Sequence, residues 1–283
     1  MIDSILKSIE KLPAFPATVQ KVTDLLRDED YAVADLVNVI RYDQAIAANI
    51  LKISNSAYFG VRQRIKTIQD AVVYLGQKQL IRAVQMASVT KFYRKGGRGY
   101  IAHSQDLWEH SVAVALMSQI LSRRIRQRED AALYTAALLH DIGKIVMGEY
   151  VYEAFDQIIG RVKQGGCSFL EAEEEVIGIN HAQVGGRVAA HWNFPAEIGD
   201  AIAYHHRPDL LAKEDKTNTW LVYLSDQTCL MYGIDGGVDG LAYKGLEEVM
   251  RFFDLRAVDL EKSFIALHDE LEKAKDVIQV QAG

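Results

Sequence analysis

The 283 residues carry 32 Lys and Arg against 38 Asp and Glu, a formal net charge of −6, with 49% hydrophobic and 25% charged residues. That length can bury a sizeable core, as one large domain or as two lobes, and the balance is ordinary for a globular protein. It sets aside wholesale nucleic-acid binding, which needs a basic surface, and no window reaches the roughly 18 uncharged apolar residues of a membrane span.

Two of the four prolines, Pro13 and Pro16, mark the entry to the first core helix, which Thr18 can cap and which aligns Val19, Val22, Leu25 and Leu26. A second helix is expected from about Val33 to Arg41, with Leu36, Val37 and Ile40 inward. A third follows Asp43 through Ile46, Ile50, Leu51 and Ile53 and stops at Asn55-Ser56. Thr67-Ile68-Gln69-Asp70 has the capping-box pattern and opens a helix with Val72, Val73, Leu75, Leu80 and Ile81 inside. Gly76 costs that helix about 1 kcal/mol relative to alanine, so it either ends one helix or permits a close contact. No useful strand alternation occurs, and the lobe reads as all-α. Its polar residues Asp43, Asn55 and Ser56 stand at helix ends, where capping accounts for them.

Lys95-Gly96-Gly97-Arg98-Gly99 is the clearest break in composition and reads as a link between residues 1–97 and residues 98–283. Ser104 then caps a long helix through Asp106, His110, Val114, Met117 and Leu121. Asp106 and His110, four apart, share a face and can reach one ion together, or make an ordinary surface contact. Arg123, Arg124, Arg126 and Arg128 read as its solvated end. Behind Asp130, a good N-cap, the run Ala131–Leu139 forms a buried helix, and His140-Asp141 sits at its end. Gly143 is suited to the left-handed position that closes such a helix. An imidazole buried beside a carboxylate must be hydrogen-bonded, paired or holding a metal.

A helix follows over Tyr150–Val162, and Ser168-Phe169-Leu170-Glu171 gives a second capping box. The acidic run Glu171, Glu173, Glu174 and Glu175 reads as the solvated face and first turn of that helix. Asn180 as N-cap places His181 in the first turn of the next, where Gly185-Gly186 points to close packing. Pro195 starts a helix that ends at Tyr204-His205-His206-Arg207 before Pro208. Thr217 or Thr219 begins the helix carrying Asp226 among Leu221, Leu224, Cys229 and Leu230. Asp259–Val280 is an amphipathic helix with Phe264, Leu267, Leu271 and Ile278 on one stripe, expected to dock on its own lobe. Cys167 and Cys229 give no disulfide framework and point to a reduced, cytoplasmic setting.

Five of the eight histidines, His110, His140, His181, His205 and His206, thus fall at the ends or polar faces of successive helices, each near an Asp, an Asn cap or another His. Imidazole with carboxylate suits Fe, Mn, Zn and Ni better than Mg or Ca. A carboxylate can bridge two ions, and a two-metal site activates water while neutralising a phosphate. Spacing alone leaves metal binding and an ordinary paired polar core equally open, because separation along the chain does not establish convergence in space.

Leu12-Pro13 with Pro16, then Ile40-Arg41-Tyr42-Asp43, Asn55-Ser56-Ala57-Tyr58-Phe59, and Ile68 through Ala71 to Leu75-Gly76 resemble the signature of the HDOD family, an HD-related output domain of bacterial signalling proteins. The resemblance covers about the first three quarters of the chain, with the domain at residues 12–210 or so. It implies an all-helical fold in which an N-terminal bundle packs on a lobe related to HD phosphohydrolases. The series His110, His140-Asp141, His181, His205-His206, Asp226 is similar to the ligand series of metal-binding HD phosphohydrolases, whose minimal set matches His110, His140, Asp141 and Asp226. His181, His205 and His206 match ligands of a second metal, Asp106 a further carboxylate ligand, and Asp141 the bridge. The cofactor so implied is one or two transition-metal ions, iron first, with manganese, nickel and zinc as alternatives. Lys144 matches a lysine that approaches substrate phosphate, so Asp141 and Lys144 are the implied catalytic pair. The Gly-Tyr-Pro signature of cyclic-dinucleotide hydrolases is absent; the segment reads His205-His206-Arg207-Pro208-Asp209. The expectation is therefore a signalling module with a signalling-protein partner and no membrane or nucleic-acid role. The alternative is an active metal-dependent phosphohydrolase acting on a nucleotide or cyclic dinucleotide phosphodiester. His103, His191 and His268 match no ligand position and are expected at the surface or the core edge.

Overall fold

Ile2, Ile5 and Ile9 recur at helical spacing from the first residues onward, and α1 (Ile2–Glu10) turns that stripe inward, with Ile5 and Ile9 buried. The structure is a computed structural model that describes residues 1–25, 32–41, 43–61, 63–93, 99–100, 104–126, 130–234 and 246–280. His103, Arg128 and most of the Lys95–Gly99 link lie outside the described residues. Among the described residues fourteen α-helices and no strand form, the all-α class that the sequence implies. The chain divides into two units, Met1–Leu12 with Phe92–His268, and Pro13–Lys91 with Asp269–Gly283. The first twelve residues thus join the histidine unit rather than the bundle that follows them in sequence. The reason is α1's apolar face, together with a Ser8–Tyr150 hydroxyl contact of 2.9 Å.

The smaller unit holds α2 (Ala17–Leu25), α3 (Val33–Arg41), α4 (Gln44–Ser54) and α5 (Ile68–Tyr93) up to Lys91. Asp43 caps α4, its Oδ1 accepting from the Ile46 amide at 3.1 Å, while Oδ2 accepts from the Thr18 hydroxyl at 3.2 Å. Thr18 is therefore a helix-to-helix contact and not the expected N-cap, because α2 starts one residue earlier. Asn55 closes the loop after α4 by bonding both the amide and the carbonyl of Ile65 at 2.8 Å. The Thr67–Asp70 capping box forms as expected. Gly76 (φ 67°, ψ 170°) breaks α5 into two segments and has open space around it, so it ends a helix and does not permit a contact. Adjacent helical positions face different ways, so Val72 is buried whereas Val73, expected inside, is exposed.

The larger unit is laid out around α7 (Ala131–Leu139), whose residues from Leu133 to Leu139 are all buried. A helix apolar on every side belongs in the middle of a core. Asp130 caps it, accepting from the Leu133 amide at 3.0 Å. Around it pack α6 (Ser104–Arg126), α11 (Ala196–Ala203) and α12 (Thr217–Met231). Next come α8 (Ile142–Gln164), which packs on α9 (Phe169–Ile177) and on α10 (His181–His191), and α10 packs in turn on α11. At the edge are α13 (Leu246–Phe252) and the start of α14 (Ala257–Val280), which docks on this unit through the Arg124–Asp259 ion pair and a Tyr232–Phe264 ring stack. Leu267 is fully buried there, and the Ile278 side chain lies outside the described set.

Gly143 corrects an expectation. It does not take a left-handed conformation, and it lies in the first turn of α8, with Asp141 at that helix's N-cap. A Cβ at Gly143 would overlap the His181 carbonyl oxygen and stand 2.8 Å from the Gly185 amide nitrogen. The glycine is needed because α8 and α10 cross there backbone to backbone. Gly185 and Gly186 continue the close packing predicted for them, against Ile202 and Ala203 of α11.

Candidate metal centre

Each candidate side chain is delivered by a helix end or by a helix packed on α7. His110 comes from the middle of α6, His140 and Asp141 from the α7–α8 junction, Lys144 from the first turn of α8, His181 from the first turn of α10, His205 and His206 from just past α11, and Asp226 from α12. The packing of those helices brings the seven His and Asp side chains together. His110 Nε2 lies 3.1 Å from Asp226 Oδ1 and 3.8 Å from Asp141 Oδ2. His140 Nε2 lies 3.2 Å from Asp141 Oδ2, and on the other carboxylate oxygen His181 and His205 Nε2 stand at 3.6 and 3.7 Å. His206 faces His181, Nε2 to Nε2, at 2.8 Å. Lys144 Nζ is 2.7 Å from Asp141 Oδ2.

Four imidazoles are oriented through Nδ1. That nitrogen faces the carbonyls of Ile234, Ala137 and Ile202 in His110, His140 and His205, at 2.9, 2.7 and 2.7 Å, and the Glu173 carboxylate in His181 at 2.8 Å. The Ala137 and Ile202 carbonyls lie in the last turns of α7 and α11, where helix geometry leaves them without an amide partner. A carbonyl only accepts, so Nδ1 carries the proton and the Nε2 lone pair is turned into the cluster. His140 Nε2, His205 Nε2 and Asp141 Oδ1 make no hydrogen bond despite burial, while Asp141 Oδ2 has the Lys144 ammonium beside it. Buried polar atoms left this way are costly unless a cation takes them.

The charges act unevenly across the cluster. Burial opposes ionisation of Asp141, yet the His140 and Lys144 charges outweigh it and hold the carboxyl well below its ordinary range. Asp226 is lowered against burial by the His110 hydrogen bond. Burial also opposes protonation of His110 and His181, but Asp226 and Glu173 respectively raise them. His205 is lowered by burial, and His206 well lowered by burial with the His205 and His181 charges added. The last two therefore favour the neutral form, which is the form that binds metal.

Two groups of side chains place one donor atom each within 4.8 Å of one another, Asp141 with His181, His205 and His206, and Asp141 with His110 and His140. Asp141 is common to both. The donor set of imidazoles and carboxylates, the lone pairs turned inward and the partnerless buried atoms fit transition-metal ions. Asp106 is not brought in: it is exposed on α6, one turn from buried His110. His191 and His268 are exposed as expected. Reading the sequence missed Glu173 and Tyr100. Glu173 was assigned with its acidic neighbours to a solvated face, but it is fully buried and accepts from Tyr100, the His181 amide and the His181 ring. The spacing Leu170, Glu173, Ile177 was the available signal, since it puts Glu173 on the apolar face of α9.

Comparison with known proteins agrees with the fold. The HDOD domain family model matches residues 12–208. The crystal structure of an HDOD domain protein of unknown function from Geobacter sulfurreducens superposes with a TM-score of 0.75 at 23% identity, covering 100% of this chain and 98% of that one. A candidate signal transduction protein from Marinobacter aquaeolei VT8 superposes with a TM-score of 0.76 at 19% identity, over 99% of this chain and 65% of that one. An uncharacterized Treponema pallidum (strain Nichols) protein is 24% identical over 209 residues, 72% of this chain, which spans 39% of that protein's length.

Proposed function

The chain belongs to the HDOD domain family, and we propose that it is a cytoplasmic bacterial signalling module whose histidine centre holds two transition-metal ions, iron first, with Asp141 belonging to both ligand groups. The observation that supports regulation over catalysis is burial: none of the seven candidate ligands is more than 7% exposed, and Lys144 is 3% exposed. Sites that take nucleotide-sized molecules are concave openings of roughly 300–1,000 Å³, whereas the donor atoms of each ligand group here lie within 4.8 Å of one another. When bound, such ions supply Lewis acidity and water activation. The chain's own residues do the rest. Asp141 and Asp226 balance the positive charge, three carbonyls and Glu173 orient the imidazoles, and Lys144 neutralises Asp141 from the side. Donors carried by six helices and their ends converge, so gain or loss of an ion couples to the packing of the whole unit and can be read by a partner signalling protein.

A second reading stays open because Lys144 is a buried ammonium at the cluster, the charge that a phosphate entering the centre would meet. Under it the protein hydrolyses a nucleotide or cyclic dinucleotide phosphodiester, with Asp141 and Lys144 as the catalytic pair. Metal-loaded protein incubated with a panel of cyclic dinucleotides and simple phosphodiesters decides between them. We expect no turnover above that of the metal alone. Turnover that disappears in Lys144→Ala would establish the hydrolase instead.

A further inference from the structure

We infer that Glu173 is a positioning residue that fixes the His181 ring as its Nδ1–H tautomer and so builds the cation position formed by His181, His205, His206 and Asp141. This rests on the proposed metal centre. Glu173 has no exposed surface, and its two oxygens are divided between two tasks. Oε1 accepts from the Tyr100 hydroxyl. Oε2 accepts from the His181 backbone amide at 3.1 Å and from its Nδ1 at 2.8 Å.

The other three Nδ1-anchored histidines face neutral carbonyls through that nitrogen, so His181 is the one among them with a charged partner on Nδ1. A carboxylate on Nδ1–H raises the electron density at Nε2, which is the carboxylate–histidine–metal arrangement. His181 also needs the anchor most, because His206 Nε2 stands 2.8 Å from its Nε2 and offers the proton a competing place. Tyr100 is set against the carboxylate by Gly99, where a Cβ would stand 2.8 Å from the Gly148 carbonyl of α8. Together they lead from the α8 surface through a tyrosine and a carboxylate to the ligand.

Two variants separate this role from simple packing. Glu173→Leu keeps an apolar-sized side chain on the α9 core face but gives His181 no acceptor. Glu173→Gln keeps an acceptor and removes the charge. In metal-free protein, long-range proton–nitrogen correlation spectra read the His181 tautomer directly. We expect Nδ1–H in wild type and Glu173→Gln, and a shift to Nε2–H in Glu173→Leu. On titration with Mn²⁺, Glu173→Leu should bind one ion roughly 10–100-fold more weakly than wild type and the other unchanged, with Glu173→Gln losing less. His181 remaining Nδ1–H in Glu173→Leu, or both variants binding Mn²⁺ as wild type does, would overturn the inference. Wild type that takes up no Mn²⁺ would instead overturn the metal centre itself, while the tautomer spectra still judge Glu173.

Discussion

Asp141→Asn is expected to empty the histidine centre of metal while the chain keeps its helical content. The carboxylate belongs to both ligand groups, so no other single side chain has as much to lose. The substitution preserves shape and removes the charge that faces His140, His181, His205 and Lys144. It also removes the carboxylate that faces the buried Lys144 ammonium, and breaking such a pair costs about 3–5 kcal/mol. Loss of metal through unfolding must therefore be told apart from loss of the ligand. The double variant Asp141→Asn with Lys144→Met removes both charges and should recover most of the stability without recovering metal. Metal content equal to wild type in the single variant would show that Asp141 is not the shared ligand.

Gly143→Ala is expected to destabilise the larger unit by about 3 kcal/mol, the upper range for forcing one carbon into a packed core. The added Cβ meets the His181 carbonyl oxygen and the Gly185 amide, and backbone cannot swing aside as a flexible side chain can. Since His181 itself begins α10, relief of that clash should displace it and weaken metal binding as well. Gly160, in the same helix with open space around it, is the internal control. Gly160→Ala should stabilise by about 0.5–1 kcal/mol, the ordinary gain of alanine over glycine in a helix. Urea unfolding of the two variants against wild type gives both numbers. Similar stability of both would show that α8 and α10 do not approach as closely as the fold requires.

The contrast between these glycines shows what could be read from the chain. Asp43, Thr67, Asp130, Ser168 and Asn180 each cap a helix next to them in sequence, and their signals were legible because the hydrogen bonds are local. The His and Asp residues were legible as types at helix ends, and their order along the chain resembled a known ligand series. Their meeting around Asp141 depends on six helices and two junctions, which no local pattern encodes. Gly143 was misread for the same reason. A glycine after a helix-ending pair looks like a cap, and only the crossing of α8 with α10 makes it a packing residue. Glu173 was different, since the helical period of α9 already placed it inward; the acidic neighbours on either side masked that signal. The composition break at Lys95–Gly99 divides the sequence after residue 97, whereas the apolar stripe of α1 joins the first twelve residues to the larger unit.

The central claim is that this cluster holds metal, and the most direct test is elemental analysis of wild-type protein purified without oxygen or chelator. The account predicts one to two transition-metal ions per chain, with iron foremost, removed by chelation together with part of the thermal stability. Less than about a tenth of an ion per chain, with no uptake of added Fe²⁺ or Mn²⁺, would contradict it.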